Sequence, residues 1–200
     1  MLKKVITVIA FLTFFIPFNL KAEDDAQYWN SLGLSADLHE KLNLSADVES
    51  RFGDDMGTLY RIAADASLSY QLYEFLGIGL GYKQVFERDY LGVPEGDWLR
   101  EYRPHIEAVF SVTLKSIQIS DRNMFELRIN QSSPYGIRYR NKLGITTSKG
   151  WTKIDIRPFV ADEIFIDVKD GEFARNRFSS GLTATIQQHF KLKLYYLWQA

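Results

Sequence analysis

His105, Glu107 and Ser111 are the residues of this chain best suited by type to nucleophilic chemistry. A serine hydroxyl attacks when an imidazole takes its proton and a carboxylate orients the imidazole. All three have one parity, so an extended strand places them on one face. Their spacing works against a triad. Strand rise separates His105 from Ser111 by about 20 Å, so catalysis would need a partner from a neighbouring strand, and a hydrogen-bonded network is the simpler reading. His39 and His189 fall at expected turns and are read as solvated. Asp167, Asp170 and Glu172 could hold calcium weakly, but acidic loops of this kind are ordinarily just hydrated. No histidine and carboxylate spacing suits a metal site, and the chain lacks cysteine altogether. The expectation is therefore a non-enzymatic protein with no catalytic residue, metal or cofactor.

The elements that position these residues are strands. From Leu42 to Phe52 the chain reads L-N-L-S-A-D-V-E-S-R-F. Leu42, Leu44, Ala46, Val48 and Phe52 alternate with Asn43, Ser45, Asp47, Glu49 and Arg51, the period of a strand with two unlike faces. The pattern recurs about ten times, over roughly 29–38, 42–52, 59–72, 76–88, 98–114, 117–129, 135–147, 151–166, 175–186 and 190–198. In the fourth of these, Gly77, Gly79 and Gly81 share one face and leave space there. The sixth is irregular, because Asp121 and Asn123 share parity with Phe125, Leu127 and Ile129; a bulge, or a start nearer Asn123, would resolve it. Pro104 and Pro158 each remove a ladder donor, so local bends or bulges are expected at both. Connections alternate between short ones, such as 148–150, and longer Gly/Asp/Pro-rich ones, such as 53–58, 89–97, 130–134 and 167–174.

Alternation does not say which face is inside. A soluble barrel turns its apolar face inward and a membrane barrel turns it outward. Three features favour the membrane. Aromatic residues gather near strand ends (Trp29, Tyr60, Tyr73, Tyr90, Trp98, Tyr135, Trp151 and Trp198), where interfacial girdles sit. Many strands are long enough to cross a bilayer at a tilt of about 45°. Charges of both signs fall at matching heights, as lumenal pairs would. The expected fold is thus all-β, an antiparallel up-and-down transmembrane β-barrel. Asp47, Glu49, Arg51, Arg61, Asp65, Glu126, Arg128, Arg140 and Arg157 are expected to point inward, and Leu44, Val48, Ile62, Leu80, Ile106, Leu127, Leu182 and Leu194 to face lipid. Arg138, Lys142, Lys153 and Arg177 add positive charge to the inner face and raise the idea of an anion-favouring pore. Carboxylates such as Glu87, Glu107, Asp155 and Glu163 would pair many of them, and a barrel of this size is narrow enough to be filled by long side chains. A mostly plugged lumen is expected.

The 200 residues, 46% apolar and 14% aromatic, suit a single folded unit. With a formal charge of −1 and dispersed basic residues, no nucleic-acid partner is expected. Lys3 and Lys4 precede an apolar run to Phe18, and Ala22 precedes Glu23-Asp24-Asp25, the layout of a secretory signal cut after Ala22. Residues 1–22 are thus read as signal and 23–200 as the barrel domain. Removing three lysines takes the mature charge to about −4.

Several stretches resemble a known bacterial family. Gln27-Tyr28-Trp29, Arg51-Phe52, R-x-M-x-E-x-R over 122–128, Tyr139-Arg140, R-P-F-V-A-D-E-I-F over 157–165 and N-R-F-S-S-G-L over 176–182 are similar to the family called domain of unknown function 2490. The resemblance implies an outer-membrane-type β-barrel and brings no catalytic residues. The expected role is a structural, small-solute or interaction barrel in the outer membrane of a Gram-negative-type bacterium. Its expected partners are outer-membrane lipid, the barrel-assembly machinery during insertion, and an unidentified small solute. The alternatives are a lipid-acting barrel enzyme and a soluble periplasmic ligand-binding barrel. Because the tenth strand ends at the long-loop rim in Gln199-Ala200, a C-terminally incomplete barrel is also expected.

Overall fold

A computed structural model describes residues 6–11, 27–89, 96–130, 135–152, 155–169, 171–186 and 190–199. Its elements are all strands: β1 (Ile6–Phe11), β2 (Tyr28–His39), β3 (Leu42–Gly53), β4 (Thr58–Tyr73), β5 (Leu76–Glu87), β6 (Leu99–Leu114), β7 (Ile117–Asn130), β8 (Gly136–Thr147), β9 (Arg157–Asp167), β10 (Glu172–Ile186) and β11 (Phe190–Gln199). They form one curled antiparallel sheet in which spatial order equals chain order. This is the up-and-down arrangement of a barrel. The two ends of the sheet approach each other on the concave side, where the Arg177 guanidinium of β10 lies 5.1 Å from the Trp29 ring of β2. Short β1 pairs with β2, from Ile6 opposite Ala36 to Phe11 opposite Ser31, and so lies within the stretch read as signal.

Alternation becomes two surfaces because the ladders keep register over many residues. Ala46 lies opposite Ala66 and Asp47 opposite Asp65, while Asp65 in turn lies opposite Lys83. A one-residue slip would exchange the faces. On the convex side Leu44, Val48, Ile62, Leu80, Ile106, Leu182 and Leu194 are all exposed, Leu80 and Ile106 by more than 60%. Leu127 has the same parity, since its neighbour Glu126 is buried on the concave side. Among the described residues, the buried side chains include eight charged or ionisable ones, Arg51, Arg61, Glu101, Arg103, His105, Glu126, Arg138 and Glu163, beside seven apolar ones such as Val85, Met124 and Phe165.

Several expectations need correcting. The irregular strand around Asp121 is neither bulged nor shortened. β7 runs unbroken from Ile117, and its ladder with β8 shows no register shift. Asp121 and Asn123 therefore point outward, where they satisfy one another and their cross-strand neighbours. Asn141 Nδ2 donates to Asp121 (2.5 Å) and to Asn123 (3.1 Å), and the Tyr139 hydroxyl donates to Asn123 (2.5 Å). On the same side, Asn176 donates to Asp162 at 2.9 Å. Pro104 causes no bulge either: register continues from Tyr102 opposite Ile129 to His105 opposite Glu126, with only the rungs between them missing. Pro158 lies in register opposite Leu182.

The eighth sequence-derived strand starts at Arg157, not Trp151. Residues 148–152 and 155–156 belong to a connection in which the Gly150 amide donates to Asp155 Oδ1 (2.7 Å) and Asp155 takes φ of 48°. Such a residue turns the chain and cannot extend a strand. The Arg157 guanidinium, with help from the Gly150 amide, holds the Asp155 carboxyl below the ordinary carboxylate range. This connection is longer than those at 54–57 and 168–171, so the contrast of short and long rims is weaker than the sequence suggested. Lys153, Asp170 and His189, and most of the 89–97 and 130–134 connections, lie outside the described residues.

Candidate functional site

The concave face carries a network of charges whose members come from seven strands, β3 to β9. At its centre is Glu126 of β7, 1% exposed. Arg140 of β8 donates to Glu126 through Nη1 (2.6 Å) and to Glu163 of β9 through Nη2 (2.7 Å), so one guanidinium links two carboxylates. Arg122 reaches the same Glu163 at 3.0 Å. Around the wall, Glu101 accepts from Arg103 and, at 2.5 Å, from Arg128. Lys83 pairs with Asp65 at 2.9 Å, and Arg61 with Glu87 at 2.5 Å. Glu49 accepts from Arg51 at 2.8 Å and has Arg61 at 3.6 Å. Asp167 takes two hydrogen bonds from Arg138, at 2.7 and 3.0 Å. Fork-to-carboxylate bonds of this kind fix geometry as well as charge.

Of the nine residues assigned inward from sequence, Glu49, Arg51, Arg61, Asp65, Glu126, Arg128 and Arg140 meet in this network. Asp47 lies on the same face, opposite Gly33 and Asp65. Arg157 stands apart at the far end of β9, bonded to Asp155 at 2.6 Å. Lys83, Arg103 and Glu163, which parity also places on the polar face, join the network. So do Glu101, Trp29 and Tyr60. Trp29 shares the parity of Ser31 and Gly33, which would have marked it as inward, and it lies beneath the Arg51 guanidinium at 3.6 Å. Tyr60 is buried because register shifts between Arg51 and Phe52 in the ladder with β4, a shift no local pattern announces. Neither residue belongs to an interfacial girdle. Tyr73, Trp98, Tyr135, Trp151 and Trp198 are exposed at or beside strand ends, and Tyr90 lies outside the described residues.

His105 is buried, its Nδ1 3.3 Å from the Arg103 carbonyl and its Nε2 3.8 Å from Asp65. Among the described residues, the imidazole makes no hydrogen bond to a serine hydroxyl. Glu107 instead lies against Gly79 of β5, and Ser111 is further along toward the turn. His39 is exposed at the end of β2. Asp167 is occupied by Arg138.

Above the central network, toward the rim carrying residues 27, 87, 128, 138 and 199, the lumen opens into a cavity of about 420 Å³. Its walls include Trp29, Tyr60, Phe165 and Tyr195 among the charged residues. A smaller cavity near the opposite rim, lined by Asp37, Asn43, Ser69, Gln71, Gly77 and Glu107 among others, shares no residue with it.

The family model described as "Protein of unknown function (DUF2490)" matches residues 26–200. The chain belongs to DUF2490. No curated protein and no solved structure matches it. The stretches that carry the DUF2490 resemblance line the lumen. From 157–165 come the buried side chains of Phe159, Ala161, Glu163 and Phe165, and from 122–128 those of Met124 and Glu126. From 176–182 come Arg177, at the cavity wall, and the buried Ser179. Gly181 completes that last DUF2490 stretch by letting the backbones of β10 and β11 approach. A Cβ there would fall 2.6 Å from the Tyr195 Cα and closer still to the Leu194 carbonyl.

Proposed function

We propose that this protein is a non-enzymatic outer-membrane β-barrel of a Gram-negative-type bacterium, exported by a signal ending at Ala22. Its lumen is occluded at mid-height and forms a solute-accessible vestibule at one rim. The observation that carries the reading is the sense of the two faces: exposed leucine, isoleucine and valine on the convex side, buried ion pairs on the concave side. A soluble barrel needs the reverse, because a charged interior without an apolar core loses the hydrophobic term that stabilises folding in water. In a bilayer the convex face is solvated by lipid, and every strand needs a paired neighbour. Outer-membrane lipid and the barrel-assembly machinery are the partners this reading requires. Removal of residues 1–22 would take β1 away and leave the β2 edge open to a different strand. The non-enzymatic reading, rather than that of a lipid-acting barrel enzyme, is supported by the polar partners of His105 among the described residues, a carbonyl and a carboxylate.

The test is fractionation of cells expressing the full chain, followed by electrophoresis with and without boiling. The protein is expected in the outer-membrane fraction, with a fast-migrating unboiled form. Recovery only from soluble periplasm would reject the reading.

A further inference from the structure

The cavity is lined by eleven lysine and arginine side chains and three glutamates. Asp65, Glu101, Glu126 and Asp167 pair with lining cations from just outside it, which brings the carboxylates to seven. Positive charge remains in excess, and the excess is localised. Among the described residues, Lys142, Arg175 and Arg177 form no ion pair with a carboxylate, while Glu163, which stands in register between Lys142 and Arg177, has its Oε1 committed to Arg122 and Arg140.

Arg175 and Arg177 converge on one neutral acceptor. Gln199 Oε1 takes a hydrogen bond from Arg177 Nε at 2.7 Å and from Arg175 Nη1 at 3.5 Å. Phe165 stacks beneath both, at 4.7 and 5.8 Å from the guanidinium carbons. Two like charges brought together without a counter-ion repel, and in a partly desolvated cavity the repulsion is weakly screened. Arg61 and Arg103 also line the cavity, both largely buried and both already paired, Arg61 with Glu87 and Glu49 and Arg103 with Glu101. Two guanidiniums without a carboxylate partner, one lysine and an aromatic wall make a receptor for a compact anion with several oxygens, which accepts paired N–H bonds from each fork.

We propose that the cavity binds a phosphate-bearing small solute, its oxyanion held by Arg175, Arg177 and Lys142 and faced by Arg61 and Arg103. The proposal rests on the barrel reading and names the solute class its vestibule takes.

Pyrophosphate titrated into the refolded full-chain barrel in neutral detergent, at ionic strength fixed with chloride, tests this. Trp29 lies in the wall beside Arg177 and reports by fluorescence, and Trp29→Phe assigns the signal. Saturable binding is expected, weakened at least tenfold by Arg175→Gln with Arg177→Gln, and unchanged by Gln71→Ala in the other cavity. Arg175→Lys with Arg177→Lys keeps the charge and loses the forks, and should weaken binding by a smaller factor. Heat-modifiable migration of each variant establishes that it is folded, so a failure to bind is separable from a failure of the barrel. A response that chloride reproduces, or that the paired substitutions leave intact, overturns the proposal. So does binding seen only with phosphatidylglycerol in the bilayer and not with pyrophosphate.

Discussion

Glu126 shows what a single side chain contributes here. It is the most buried charged residue described, and its Oε1 accepts from Arg140 while Arg140 also holds Glu163. Buried ion pairs are not strong net stabilisers, but removing one partner leaves the other charge desolvated and uncompensated. Glu126→Ala should therefore destabilise the folded barrel by about 3 kcal/mol, read as a lower urea midpoint in detergent or lipid. An unchanged midpoint would mean that water reaches Arg140 freely. Glu126→Asp, which keeps the charge on a shorter arm, should lose less.

At the level of strands, the three alternate glycines of β5 have different work to do. The sequence showed only that they leave space. Across the ladder, Gly79 faces Glu107 and Gly81 faces His105. A Cβ at Gly81 would lie 2.7 Å from His105 Cε1 and 2.8 Å from the Ser67 Cβ, contacts that neither neighbouring strand can relieve without shifting. At Gly77 the nearest atom is Gln71 Oε1 at 3.7 Å, an ordinary contact. Gly81→Ala should cost about 1–3 kcal/mol by overpacking, whereas Gly77→Ala should stay within about 0.5 kcal/mol. Equilibrium unfolding of the two variants side by side checks the difference, and equal effects would contradict it. The outward cluster of Asp121, Asn123, Tyr139 and Asn141 belongs to this level too: polar groups on an apolar face persist because cross-strand neighbours satisfy them.

For the molecule as a whole, the sense of the two faces is what a bilayer would read. Leu80 is mid-strand and outward, 61% exposed. If it lies near the bilayer midplane, Leu80→Arg should cost about 2–4 kcal/mol, seen as a smaller fraction folded into lipid vesicles. Ser69→Arg, facing the roomy cavity at the other rim, should fold as the parent does. Equal folding of both variants would argue against a lipid-facing convex side.

Period-two alternation over ten segments was enough to establish strands, their order and two unlike faces, because the direction of a side chain on a strand follows from its own backbone alone. Outward Leu44 and inward Asp47 were legible in that way. Which charges meet was not. Arg122 and Arg140 share Glu163 only because β7, β8 and β9 align in one register, and Trp29 meets Arg177 only because the sheet curls until its ends approach. Tyr60 is inward through a register shift, Asp121 is tolerated outward through partners on another strand, and Trp151, Thr152, Asp155 and Ile156 lie outside the strand, where Asp155 takes a positive φ. Each of these depends on contacts between residues far apart in the chain. Local periodicity carries no information about such contacts, so the sequence could suggest a positive inner face, while the cations left without a carboxylate and the cavity they line came into view only with the folded sheet.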